Sequence, residues 1–498
     1  MSIKKLAGQT VWYGASSIAA RFLNYLLTPY LTGVLAVSGY GEMSLVYAAI
    51  PFLNVIFTYG IETAYFRFSH KEGFKKDIYS TSSISIFIST ILLTTLLLLY
   101  HSTVAHWLRL DDHPEFITYS ALIIALDALA TLPFARLRQE GRPRKFALIR
   151  VTSIVITIAF TFFFISVCPR IVASHPAGFI ATYYRPNYGV GYVILANLIG
   201  SLITLVMLSR ELFAFQWKFN TAVWKQIMIY SLPLIIAGFG GMINETFDRI
   251  MLGWWAPVHS VEAAKNEVAI YSGCYKLSIL ISLFIQAFRM GAEPFFFKQS
   301  EGNNPQRTYA RVMKFFVITI TVMFLVVALY LNIWKYFLTG KAYWTGLKVV
   351  PILLLANMFL GIYYNLSVWY KLTHKTISGA YITLIGAVIT LLINYFFIPY
   401  YSYMACAWAT FFCYGSMMVI SFTWGQKAYR IPYAWKKLCS YMIIAVILYF
   451  IHRGILHFFN NKIVDLSAAT FLLLLYLWFL TLVERQEFKK LPVVGKFF

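Results

Sequence analysis

The chain has 498 residues, of which 60% are hydrophobic, 18% aromatic and only 12% charged, and its mean hydropathy is +0.68. That is more apolar surface than a soluble core of this length can hide, so a soluble enzyme or binding module is excluded and a lipid bilayer is the implied solvent. The formal net charge of +23 then reads as membrane topology and contact with anionic lipid, because no basic soluble module is present for a nucleic-acid partner.

Apolar runs of about 20 residues, enough to cross roughly 30 Å of hydrocarbon as a helix, recur along the whole chain and predict about fourteen spans. Six lie near Gly8–Val37, Gly41–Tyr65, Ser80–Tyr100, Phe116–Ala135, Phe146–Val167 and Gly189–Leu208. Six more lie near Ile227–Leu252, Ala269–Phe297, Val312–Trp334, Val349–Tyr370, Gly379–Ile398 and Tyr403–Trp424, followed by a pair near Leu438–His457 and Leu466–Val483. The runs are long and continuously apolar, which suits helices and not the alternating strands of a barrel, so the expected class is an all-α polytopic membrane protein.

The opening MSIKKLAGQTVWYGASS is broken by Gly, Gln and Ser and continues as a full span, unlike a cleaved signal. Within that span Thr10, Gly14, Ser17, Arg21, Asn24 and Thr28 fall on one helical face, with Arg21 near its middle. A second stripe in the next span is Pro51, Asn54, Thr58 and Glu62. The loop LDDH, Leu110 to His113, reads as solvated, since nothing beside it completes a coordination shell and no metal is expected. Asp127 sits in the middle of the fourth span, as a counter-ion or a proton-titrating group. The segment from about Cys168 to Tyr188 is the largest connection on its side and is turn-rich.

In the seventh span Gly241, Asn244, Glu245 and Asp248 cluster, and in the eighth Lys276, Ser282, Gln286, Arg289 and Glu293 do. Small and polar residues also glue membrane helices together, and single hydroxyls need no further account. Long cations well inside a span are different, because a charge at that depth is costly unless it faces water or a partner. Near the membrane surface, Glu62, Arg67, Glu293 and Lys298 can snorkel or pair across the molecule, as gate or inter-half contacts, as readily as they can touch a substrate. His452, towards an outer end, reads as a packing residue. The five cysteines have neither zinc nor disulfide spacing. Pro29, Pro51, Pro133, Pro233, Pro294, Pro351 and the run Gly238–Gly241 are candidate kinks or hinges.

Two stretches echo each other. GIETAYFRF begins at Gly60 and GAEPFFFKQ at Gly291, aligning Glu62 with Glu293, Phe66 with Phe297 and Arg67 with Lys298 at an offset of 231. Tyr40 and Tyr271 share that offset. The copies end spans two and eight, an even number of crossings apart, so the halves are expected to be parallel repeats about an axis along the membrane normal. The expected domains are 1–220 and 221–430, each a six-helix bundle, with two additional helices and a tail in 431–498. Outside the spans, Lys and Arg number about 27 in the N-terminus, even-numbered loops and tail against about 8 in the odd-numbered loops, which makes both termini cytoplasmic.

Fourteen spans, a six-plus-six repeat with two extra helices, charged first and second helices in each half, and the start KLAGQTVWYGASSIAARFLNYLLTP resemble the bacterial polysaccharide flippases. These belong to the multidrug/oligosaccharidyl-lipid/polysaccharide exporter superfamily. The resemblance implies a MATE-like fold in the bacterial inner membrane and no catalytic residues or cofactor. It implies movement of an undecaprenyl-pyrophosphate-linked oligosaccharide, such as an O-antigen repeat unit, between leaflets by alternating access. Arg21, Lys276, Arg289 and Asn24 match the cationic cavity for the headgroup, and Asp127, Glu62, Asp248 and Glu245 are coupling or counter-ion candidates. Implied partners are the lipid-linked substrate, membrane lipids, a polysaccharide polymerase and glycosyltransferases. The alternatives are an ion-coupled multidrug exporter of the same superfamily, whose cavity is acidic, and a membrane glycan-transferring enzyme, for which the chain offers no catalytic constellation.

Overall fold

The computed structural model describes residues 3–69, 74, 77–300, 304–459 and 461–489, the side chains of 3–17, 293, 294, 297, 298 and 488 excepted. Every long element in this range is a helix, as continuous apolar runs require where backbone polar groups must be satisfied within the segment. In chain order they are α1 (Ile3–Val34), α2 (Val37–Phe68), α3 (Ile78–Leu99), α4 (Glu115–Gln139), α5 (Pro143–Ser174), α6 (Gly189–Met207) and α7 (Thr221–Trp255). There follow α8 (Val261–Gln299), α9 (Pro305–Ala328), α10 (Lys341–Leu372), α11 (Thr376–Tyr401), α12 (Tyr403–Ala428), α13 (Trp435–Phe458) and α14 (Lys462–Val483). Among the described residues, thirteen helices are long and apolar enough to cross a membrane. The remaining long helix, α1, has the length, 32 residues, but interrupts its apolar run with polar side chains.

The chain separates into two compact units. Unit 1 comprises residues Met1–Gly273, Gly340–Tyr343 and Thr383–Cys413, and unit 2 comprises Cys274–Thr339, Trp344–Ile382 and Tyr414–Phe498. In unit 1, α1 packs along α5, α5 along α6, α6 along α4, and α2 along α7. The α5–α6 seam is built from small residues. A Cβ on Gly200 would stand 2.2 Å from Thr157 Oγ1, and Ser153 Oγ donates to the Gly200 carbonyl at 3.1 Å, so the backbones approach as closely as side-chain hydroxyls allow. In unit 2, α13 and α14 pack against α9 and each other. A buried acid fastens their shared end: the Glu484 carboxylate accepts from Lys437 at 2.7 Å, from Lys314 of α9 at 2.9 Å and from the Tyr441 hydroxyl at 2.5 Å.

The prolines named as candidate kinks or hinges do not end the helices that hold them. Pro51, Pro133 and Pro233 all lie inside continuous helix. The interruption in α2 falls at Tyr59 and Gly60, both in the left-handed region at φ 35° and 72°, and Gly60 lies so close to α7 that a Cβ would stand 3.1 Å from Leu234. The echo of this motif at Gly291 runs through unbroken helix, although both copies end a long helix. A second irregularity is one π-turn, Phe163–Val167. It ends two residues before Pro169, which has no N–H for the Ile165 carbonyl, and the helix widens there. Beyond it the predicted loop from Cys168 is still helical as far as Ser174, and a short helix, Phe179–Tyr183, follows.

Candidate functional site

In unit 1 the charges inside the helices divide into open and closed sets. Arg21 and Asn24 of α1 are exposed, as is Asp127 of α4. The Asp127 Oδ1 accepts a hydrogen bond from Ser201 of α6 at 2.9 Å, and its backbone carbonyl accepts one from Thr131 at 3.1 Å. The third charge is Arg150 of α5, whose guanidinium stands 4.3 Å above the Phe134 ring and 5.7 Å from that of Phe146. Arg150 interacts electrostatically with both Asp127 and Arg21. Two guanidiniums and one carboxylate from α1, α4 and α5 thus form a net-cationic group within the spans. An anion entering it would meet a planar donor fork held flat by aromatic stacking, a geometry suited to phosphate oxygens. The stripe positions Thr10, Gly14 and Ser17 lie outside the described side chains.

The seventh-span acids are held differently. Asp248 is 3% exposed. Its Oδ1 accepts from the Arg249 backbone N–H and guanidinium, both at 2.9 Å, and its Oδ2 accepts from the Tyr271 hydroxyl of α8 at 2.6 Å. Both oxygens are therefore engaged, and the adjoining Asn244 donates to the Thr383 carbonyl at 3.0 Å. This face of α7 binds helices to one another. Glu245 is exposed, and its backbone carbonyl accepts from Arg249 at 2.8 Å.

At the basic end of unit 1, Glu62 forms an ion pair with Arg138, and Arg67 lies 4.4 Å over the Tyr230 ring of α7. Nearby, the buried Glu211 carboxylate holds Arg142 at 2.9 Å and Lys145 at 2.7 Å. The cluster Arg136–Lys145 is thus a knot of ion pairs. At the opposite ends of α2 and α8, Lys265 is 5% exposed and donates to Glu42 at 2.7 Å, with Asp112 at 3.7 Å. Beside it Gly41 lies against the α8 backbone so closely that a Cβ would stand 2.0 Å from the Lys265 carbonyl oxygen. Tyr40, one residue earlier, is buried edge-on against Tyr343.

In unit 2, Lys276 of α8 is half-buried, and the Arg289 guanidinium stands 3.9 Å over the Tyr364 ring of α10. Between them along α8, Ser282 donates to the Asn357 side-chain oxygen at 2.9 Å, and the Asn357 amide donates to Ser278 at 3.3 Å. The side chains of Glu293 and Lys298 lie outside those described. His452 is buried and within 3.0 Å of the Asp465 carboxylate, a more specific partner than general packing supplies.

Three features escaped the sequence. Arg150 lies in the first turns of the predicted fifth span and is not singled out there; its stacking on Phe134 and Phe146 beside Asp127 is what marks it. Glu42 and Lys265 stand at span ends, where charges are ordinary.

These helices and their charges define a class first: a polytopic, all-α, MATE-like membrane protein. A family described as polysaccharide biosynthesis protein matches residues 6–300, and the chain belongs to that family. A curated relative, "Lsg locus putative protein 1" of Haemophilus influenzae, is 21% identical over 304 residues, which is 59% of this chain and 66% of the relative. The chain thus matches slightly under two thirds of that protein's length. Among solved structures, the chain is similar to a lipid II flippase, MurJ, in an inward closed conformation, with a TM-score of 0.73 and 13% identity over 96% of this chain and 99% of that one. It is also similar to an outward-facing multidrug resistance MATE transporter, with a TM-score of 0.59 and 14% identity over 85% and 95%. At these identities the likeness is one of fold.

Proposed function

We propose that the protein carries a polyprenyl-pyrophosphate-linked oligosaccharide, of the kind exemplified by an O-antigen repeat unit, from the inner to the outer leaflet of a bacterial inner membrane. The observation that carries this reading is the pair of exposed guanidiniums, Arg21 and Arg150, beside Asp127 on three helices of unit 1. A pyrophosphate bearing sugars cannot enter hydrocarbon unaided, because desolvating it is prohibitive. Fixed cations in a wet site lower that barrier, while the polyprenyl tail remains in lipid. Asn24 belongs to the same proposed headgroup site, Lys276 and Arg289 of unit 2 are proposed in their own right as cations for the headgroup, and the basic ends of the helices are proposed to face the cytoplasm.

Alternating access requires a step that resets the protein, driven either by the membrane potential on the headgroup or by proton exchange. Asp127 is the coupling candidate best suited to the second route, since Asp248 and Glu62 are committed to partners. Gate contacts are assigned to Arg67, Glu293 and Lys298, and polymerase and glycosyltransferases are the working partners. The proposed repeat divides the chain at residues 1–220, 221–430 and 431–498.

The test is export of surface glycan in cells carrying Arg21→Ala, Arg150→Ala or Lys276→Ala at matched protein level. Loss of surface glycan, with lipid-linked intermediate accumulating on the inner leaflet, is expected. Normal export in all three variants overturns the reading, and resistance to cationic drugs gained on expression would favour a multidrug exporter.

A further inference from the structure

Unit 2 carries a second cationic feature, remote from α8 and at the end of α13 opposite Lys437. Where α9 finishes and α13 turns into α14, the segments 329–336, 453–457 and 461–469 line a cavity of about 730 Å³, a size typical of small-ligand sites. Lys335, Arg453 and Lys462 place three cations on its walls, with His457 beside them. The single acid there is Asp465, and both of its oxygens are engaged. One lies 3.0 Å from His452 Nε2, and the other accepts from the Asn332 amide at 2.8 Å. Among the described residues no carboxylate lies within ion-pair distance of Arg453 or Lys462, both of which are exposed. Lys335 is steadied 5.0 Å over the Trp344 ring and donates to Asn332 at 3.3 Å.

Two further observations give this charge a ligand. Asn461 caps α14, its side-chain oxygen accepting from Ile463 N at 2.9 Å, so the positive end of a 22-residue helix opens at the cavity mouth, where anions are favoured. The floor is apolar, with Leu329, Leu456, Leu466 and Ala469, and Tyr336, Phe458, Phe459 and Ile463 stand exposed around the rim. An aromatic and aliphatic rim at a helix end marks the membrane–water interface. A cationic pocket with an apolar floor at that depth matches a headgroup with acyl chains attached.

We propose that this cavity binds a phosphate-bearing anionic headgroup, that of a lipid with net negative charge, at the membrane face opposite the basic helix ends. The inference is independent of the cargo proposed above. The phosphate lies between Arg453, Lys462 and the α14 N-terminus, and Lys335 excludes zwitterionic lipids by favouring net charge.

The test uses the purified full-length protein in detergent, with thermal protection titrated by phosphatidylglycerol, by phosphatidylcholine and by inorganic phosphate, and with native mass spectrometry counting retained lipid. Phosphatidylglycerol should protect, and the Arg453→Gln/Lys462→Gln double variant should weaken its apparent affinity by about thirtyfold, the effect of removing two basic side chains at a charged surface. Lys436→Gln, at the other end of α13, should bind as the parent does. Protection by phosphatidylglycerol alone assigns the lipid source, and protection by inorganic phosphate alone assigns a soluble phosphate to the same cations. Equal protection by phosphatidylcholine, or binding unchanged in a folded double variant, overturns the proposal.

Discussion

Gly41 admits no side chain while α2 and α8 are in contact, and Gly41→Ala therefore measures what that contact contributes. An added Cβ would lie 2.0 Å from the Lys265 carbonyl oxygen, 2.7 Å from its carbon and 3.1 Å from its Cα. All three are backbone atoms, so no rotamer change relieves the clash. A carbon needs roughly 3.3 Å from such an oxygen, so the two helices must part by about 1 Å at this level. The adjacent Glu42–Lys265 bond, 2.7 Å long with its lysine 5% exposed, would be stretched with them. Overpacking alone costs about 1–3 kcal/mol, and weakening a buried ion pair adds to it. A disadvantage of about 2 kcal/mol would shift the balance between joined and parted forms by about thirtyfold. Spin labels at Ala36→Cys and Glu262→Cys, on a background without the native cysteines, read the separation of these ends by pulsed dipolar spectroscopy. The alanine variant should lengthen the main distance or populate a longer one, and Lys265→Ala should move it in the same direction. A variant whose distance distribution matches the parent would refute the argument, since it would mean that the contact carries no energetic weight.

Asp127→Asn keeps an oxygen for the Ser201 hydroxyl and removes the negative charge beside Arg150 and Arg21; protein level should hold while glycan export falls by about tenfold, equivalent to about 1.4 kcal/mol in a site whose net charge has changed. Glu484→Gln should lower stability in a melting assay by about 2–3 kcal/mol, because Lys314 loses its buried acceptor while Lys437 is open enough to rehydrate. Burial pushes the Glu484 carboxyl up, but hydrogen bonds from Lys437, Tyr441 and Lys314 outweigh it and hold the group below its usual 4.5. Its contribution is therefore present above that pH and lost as the pH falls through the depressed value, an acid-side loss that the glutamine variant should not show. Gly200→Val should force α5 from α6, since even a Cβ would meet Thr157 Oγ1 at 2.2 Å and the Ser153 carbonyl at 3.2 Å; reduced melting temperature and poor insertion are the expected readings.

Helix number and class were readable from the chain because a bilayer imposes one length and one hydrogen-bonding solution on every crossing. The polar positions were readable as well, but not what they do. Asp248 and Asp127 look alike in one dimension, each an acid deep in an apolar run. Only the folded chain brings Tyr271 and Arg249 to the first and leaves the second beside Arg150. Periodicity reports which face of a helix a residue occupies and nothing of what the neighbouring helix presents there. The break in α2 was missed for a related reason: proline offers a chemical signal, whereas Tyr59 takes a left-handed conformation through its surroundings.

The acid knot at residue 484 has a practical consequence for handling the protein. It lies immediately after the last long helix, so trimming the chain back to Val483 would leave Lys314 and Lys437 facing one another with no counter-charge. A fluorescent reporter or affinity handle on this side of the chain belongs well beyond Glu484, where it spares that carboxylate. Shortened forms that express poorly should be suspected of having lost this anchor before any transport defect is inferred.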